Sequence, residues 1–299
     1  MQRIRGIVLR TGLLVSTRTY SQGSPNALAT LRRKTGYTIS NCKKALDLHQ
    51  NNIVQAEKWL NDQAQAMGWS KAEKLEGRKT QQGLIGVLVR ENCGIMLEVN
   101  CETDFVARNK TFQEFLAASS STCWQYIREN VKNASDVSQK NLSTEDLKSL
   151  LATDGKTLND HLAVLIGTIG ENATLRRGIG FKSEDSDIFL SGYAHPSQIS
   201  EEEGFGFGKF GAVVAFRRSD TPRDAALERR ICQHIVGMNP KKIGKKDVDE
   251  ANEDSDNEEL LIFQEFVADN SKNVGEVLEE SRLEVINYSR FECGEDSEL

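Results

Sequence analysis

Apolar residues recur along this chain at two spacings, and the change from one to the other marks where its elements change. Three segments near the amino terminus follow helical spacing: 27–34, closed by Gly36; one opened by Ser40 or Asn41 and carrying Cys42, Ala45, Leu46 and Leu48; and 53–66, with Ile53, Ala56, Trp59, Leu60 and Ala64 near one face. Segment 69–82 is polar and reads as a linker. Beyond it, 84–90 and 95–101 are short apolar runs of strand length, joined through Glu91, Asn92, Cys93 and Gly94 as a hairpin. A helix over 110–131 follows, with Phe112, Phe115, Leu116, Trp124 and Ile127 as its buried stripe.

The same order returns later. Strands are expected around 188–194 and 211–216, separated by an insertion, and a helix over 222–236 comes after them. Hairpin plus helix, twice, predicts an α+β protein: an amino-terminal three-helix bundle followed by a duplicated core of antiparallel strands and helices. The expected divisions are 1–20, a leader; 24–68, the bundle, of the ubiquitin-associated type; 69–82, the linker; 83–160 and 161–240, the two halves of the core; 241–259, a charged loop; and 260–299, a carboxy-terminal segment with a closing strand. Lysines open the charged loop and eight acids between Asp247 and Glu259 close it, so self-repulsion predicts disorder there.

Composition narrows the functional classes. The 299 residues are 38% hydrophobic, which suits a buried core, and the net charge of −6 argues against a general nucleic-acid binder. No apolar run approaches the roughly 18 residues of a membrane-spanning helix. The first 46 residues contain no Asp or Glu, while Arg3, Arg5, Arg10 and Arg18 are spread among Ile4, Ile7, Val8, Leu9, Leu13 and Leu14. That is the profile of a mitochondrial transit peptide, with cleavage expected after Tyr20. Six cysteines lie far apart without a CxxC pair, and the four histidines lack ligand spacing, so no metal site is expected.

Motifs for covalent or nucleotide chemistry fail on context. Residues 206–211 satisfy GxGxxG but run into a strand, not a helix, and so lack the amino-terminal dipole a phosphate needs. Gly155-Lys156-Thr157 follows no buried strand, and Leu150 stands where a Walker loop needs its first glycine.

One stretch stands apart. Residues 101–107, CETDFVA, place a carboxylate and a large aromatic at a strand-to-helix corner, where side chains are readily displayed. Pattern alone leaves two readings: Asp104 caps the next helix while Phe105 and Val106 anchor the corner, or the pair faces outward.

The words GIMLEVNCETDFVARN, LRRKTGYTISNCKKAL, LAVLIGTIGENATLRRGIG and RFECGE resemble the elongation factor Ts family. The resemblance implies a guanine-nucleotide exchange factor without covalent chemistry or cofactor. It implies that Asp104 and Phe105, flanked by Thr103 and Val106, form a wedge that disturbs the Mg²⁺ and phosphate site of elongation factor Tu. It places Arg32 and Ile39 of the bundle, and Tyr193 and His195 of a Tyr-x-His segment, on the partner as well. With the leader it implies mitochondrial elongation factor Tu, met one-to-one in the matrix, with no direct nucleic acid or membrane contact. Segment 241–259 is too short for the helical dimerisation module of bacterial relatives, which implies a monomer. The alternative is an adaptor that binds ubiquitin through the bundle.

Overall fold

Along β1 (Gln82–Arg90) Leu84 and Leu88 point to one side, Ile85 and Val87 to the other, and all four are buried. A strand hydrophobic on both faces must lie inside a stack of layers, and that requirement organises most of the molecule. The computed structural model describes residues 25–296 apart from 38, 76, 133–135, 200–203 and 219–222. The expected leader, 1–20, lies outside the described residues.

The chain divides into two units at Leu60/Asn61. In the first are α1 (Pro25–Thr35), α2 (Ile39–Leu48) and the start of α3 (Ile53–Leu75). Leu31, Cys42, Ala45, Leu46, Ala56 and Leu60 are buried there. Gly36, at φ 70°, ends α1 with its amide donating to Arg32 O, and Asn52 Oδ1 accepts the amides of Val54 and Gln55 to start α3. The third helix continues to Leu75, through the first half of the segment expected to be a linker. Polar residues with good helical propensity, such as Lys74, carry it onward without an apolar stripe.

The second unit is built from β1, β2 (Cys93–Cys101), α4 (Asp104–Ala107), α5 (Lys110–Asn130), β3 (Ser138–Leu142), α6 (Thr144–Ser149), α7 (Leu158–Ile169) and β4 (Ala173–Lys182), followed by β5 (Ile188–His195), β6 (Gln198–Ile199), β7 (Phe205–Gly208), β8 (Phe210–Arg218), α8 (Ala225–Met238), α9 (Val274–Glu280) and β9 (Leu283–Glu292). Two antiparallel sheets form, one ordered β3-β4-β2-β1-β7-β6 and the other β5-β8-β9. Ile85, Val87, Met96, Leu190, Val213, Ala215 and Phe291 fill the space between them. Phe112, Leu116, Ile127 and Leu165 cover the outer face of the large sheet, and Ile231, Ile235, Val277 and Leu278 that of the small one.

The duplication expected from the sequence is present and reaches one strand further. In the first half the hairpin β1-β2 is followed by α5, and β4 later pairs with the free edge of β2. In the second, β5 and β8 pair, α8 follows, and β9 takes the free edge of β8.

Three segments differ from expectation. Beyond the helix expected over 110–131, the first half of the core also holds β3 and α6; Ser138–Leu142 buries only its two ends, and α6 is opened by a Ser143–Asp146 capping box. The insertion 196–210 supplies β6 and β7, so the GxGxxG glycines lie on β7 and β8 and not at a helix start. Residues 241–259 are held in place: the amides of Lys241 and Lys242 reach Glu259 O, Leu261 N reaches Lys242 O, and Glu258 accepts from the amides of Asn252 and Leu260. The acids expected to repel one another act as acceptors for backbone amides that would otherwise be unpaired.

Candidate functional site

Cys101 ends β2, and its wholly buried side chain, whose thiol burial pushes up to about 12, donates to Thr103 O at 3.1 Å. Thr103, in extended conformation, caps α4 by accepting from Val106 N at 3.4 Å. The cap is therefore Thr103 and not Asp104, which occupies the first helical position. Val106 and Ala107 turn inward against the core of the large sheet. Phe105 turns outward and is 79% exposed, the largest exposure of any described bulky apolar side chain. Asp104 is partly exposed and pairs with Arg108 Nη2 at 3.1 Å, one turn on. The inward anchor expected of Phe105 falls to Val106 alone.

The corner is braced by distant residues. Thr103 Oγ1 lies 3.1 and 3.0 Å from the two carboxylate oxygens of Glu171, and Glu102 Oε1 accepts from Asn172 N at 2.8 Å. Asn172 in turn donates through Nδ2 to Leu75 O and Arg78 O. Glu171 and Asn172 reach these positions because α7 stops at Gly170, whose φ of 82° ends the helix in the left-handed region. Gly167 on α7 is also obligatory, since a Cβ there would lie 2.3 Å from Ala64 O. Two stretches of the resemblance, 101–107 and 162–180, thus meet at one place.

Tyr193 and His195 share an end of the unit with this corner. His195 pairs with Phe210, Phe210 with Glu292, and Gln82 with Cys101, while Lys209 Nζ donates to Gln82 Oε1 at 3.2 Å across the two sheets. Tyr193 is buried and its Oη lies 3.0 Å from Nδ1 of the exposed His195. Arg32 and Ile39 belong to the first unit, Arg32 exposed in the last turn of α1 and Ile39 52% exposed at the start of α2.

Arg176 and Arg177, adjacent on β4, were not among the residues expected in the site. Arg177 is buried, with Nε 2.6 Å from Glu98 Oε2 and Nη2 2.7 Å from Glu295 Oε1, and its guanidinium stacks 4.1 Å from the Phe291 ring centroid. Gly294 N and Asn100 Nδ2 donate to the other Glu98 oxygen at 2.8 and 3.0 Å. This network ties the end of β9 to the middle of β2. A lone glutamate inside an apolar run was the available signal. No group of three or more His, Cys, Asp or Glu residues poised for a metal occurs among the described residues, and no described helix is long and apolar enough to cross a membrane.

Two family models match the chain, described as "Elongation factor Ts, mitochondrial, N-terminal" over residues 13–70 and "Elongation factor TS" over residues 102–259. The chain is similar to proteins named "Elongation factor Ts, mitochondrial" from Aedes aegypti, 51% identical over 93% of this chain and 91% of that one, and from Drosophila melanogaster, 48% identical over 96% and 93%. A frog counterpart with the same name, from Xenopus laevis, is 39% identical over 91% and 87%. The braced corner at 102–107 lies within the larger match, and on these likenesses the chain belongs to the elongation factor Ts family, the nucleotide-exchange factors of elongation factor Tu in translation elongation.

Proposed function

We propose that this chain releases GDP from mitochondrial elongation factor Tu by driving the Asp104–Phe105 pair into the nucleotide-binding domain. The observation that carries this reading is the contrast within four residues: Phe105 is 79% exposed, while Val106 and Ala107 beside it are buried and Thr103 is tied to Glu171. An aromatic side chain held out in water on a rigid, braced corner is preorganised to enter a partner with little loss of freedom.

The mechanism needs no covalent step. A factor that binds better when GDP is absent must, by linkage, weaken GDP binding by the same factor. Phe105 enters between elements of the partner and displaces the one that positions Mg²⁺ and the phosphates; the phosphate charge then loses its compensation and the nucleotide leaves. Covering one Phe is worth about 1.5–3 kcal/mol, or roughly one to two decades of rate. Faster release draws on the rest of the contact, to which Tyr193, His195, Arg32 and Ile39 contribute.

The leader-like composition of the first 46 residues supports a matrix location. In place of a dimerisation module, 241–259 is a self-bonded loop, which supports a monomer that meets one partner. Release of fluorescent GDP from purified mitochondrial elongation factor Tu, with and without the protein, tests the proposal. A pull-down against ubiquitin in parallel tests the adaptor alternative.

A further inference from the structure

Arg229, on α8, is built into the Tyr193–His195 pair. Its guanidinium carbon is 4.8 Å from the Tyr193 ring centroid, and its Nη2 donates to Ser197 Oγ at 3.3 Å, two residues past His195. The Tyr193 ring is therefore held between the sheet and a cation, with its hydroxyl 3.0 Å from His195 Nδ1. Either atom of that last contact could carry the proton. A cation over the ring withdraws electron density from the phenol oxygen, which makes the hydroxyl a better donor and a poorer acceptor. Nδ1 is then the acceptor, and the imidazole proton resides on Nε2, for which no hydrogen-bond partner occurs among the described residues.

We infer that Arg229 and Tyr193 are positioning residues that lock His195 in the Nε2–H tautomer, so that it meets the partner as a hydrogen-bond donor to an oxygen acceptor, a carbonyl or a carboxylate. The inference rests on the reading of His195 as a partner contact, and deepens it by fixing the chemistry of the group His195 meets. Arg229 carries its charge on the same side of Tyr193 and adds to the preference for an acceptor. Among the charged residues of α8, Glu228 is already engaged by Arg223 and Arg218, so it does not neutralise Arg229.

The test is the ring-nitrogen spectrum of the histidine-labelled full chain at pH 8, with the His195 signals assigned from His195→Asn. The wild type is expected to show His195 in the Nε2–H form alone. Tyr193→Phe should give a mixture of tautomers, Arg229→Ala a smaller shift in the same direction, and Arg229→Lys should restore most of the wild-type signal. An Nδ1–H form or a mixture in the wild type, or no change in Arg229→Ala, overturns the inference. Exchange is read in parallel: Arg229→Ala should slow stimulated GDP release by about two- to five-fold, the scale of one partly exposed cation–π contact. His195→Asn tests the underlying reading separately, because unchanged release there removes His195 from the contact whatever its tautomer.

Discussion

The hydroxyl of Thr103 joins two corners that are far apart in sequence: it accepts from Val106 N at 3.4 Å and reaches both oxygens of Glu171 at 3.1 and 3.0 Å. The same atom starts α4 and fixes its direction, so the angle at which Phe105 leaves the surface depends on it. Thr103→Val keeps the shape and removes the hydroxyl. Losing a cap together with a hydrogen bond to a charged group should cost about 1–3 kcal/mol of stability. It should also lower exchange, and Thr103→Ser should recover both in urea denaturation and GDP-release assays.

Asp104 contributes less than its neighbour. Its ion pair with Arg108 is one turn apart on a short exposed helix, an arrangement worth only about 0.3–0.5 kcal/mol. Asp104→Asn preserves shape and should reduce exchange less than Phe105→Ala does. An equal or greater loss in the same assay would show that charge, and not packing, leads.

Glu98 is wholly buried and accepts from Arg177, Gly294 and Asn100. Glu98→Ala leaves the Arg177 guanidinium buried with only part of its partners, and breaking such a pair costs about 3–5 kcal/mol. The expected outcome is a large loss of stability by denaturant titration, shared by the end of β9, whose amides should exchange hydrogen faster than in the wild type.

His234 gives a pH dependence with a definite sign. It is completely buried on α8, its Nε2 lies 3.0 Å from Gln264 Oε1 and its Nδ1 accepts from Val267 N. Burial pushes its pKa below the ordinary 6.5. The unfolded chain therefore binds a proton before the folded one does, and stability falls as the pH drops below about 6.5 towards the folded value. His234→Gln should flatten that part of the profile of urea midpoint against pH, at some cost in stability at neutral pH.

The thiols should be inert in the folded state. Burial pushes Cys93, Cys101, Cys123 and Cys232 up to about 12 and Cys293 up to about 11. At pH 8 a thiol reagent should modify the folded protein slowly, and all six cysteines after denaturation.

The strands that were legible in the sequence are those buried on both faces, where β1, β2, β5 and β8 write long apolar runs. The strands β3, β6 and β7 were not: β3 is an edge strand that buries only its two ends, and β6 and β7, of two and four residues, are too short to write a period. The bracing of the candidate corner was hidden for another reason. Thr103 and Glu102 find their partners 68 and 70 residues away, a pairing no local period encodes. For Phe105 the local pattern favoured the inward anchor and only the family resemblance pointed outward; the structure turns Val106 and Ala107 inward and leaves Phe105 exposed.

The central claim is that one exposed aromatic on a braced corner opens the partner's nucleotide pocket, and GDP release with Phe105→Ala tests it most directly. With Phe105 79% exposed, the variant should match the wild type in its denaturation midpoint. Its stimulation of fluorescent-GDP release from mitochondrial elongation factor Tu should fall at least several-fold, by roughly one to two decades at full effect. A folded Phe105→Ala protein that releases GDP at the wild-type rate would contradict the account.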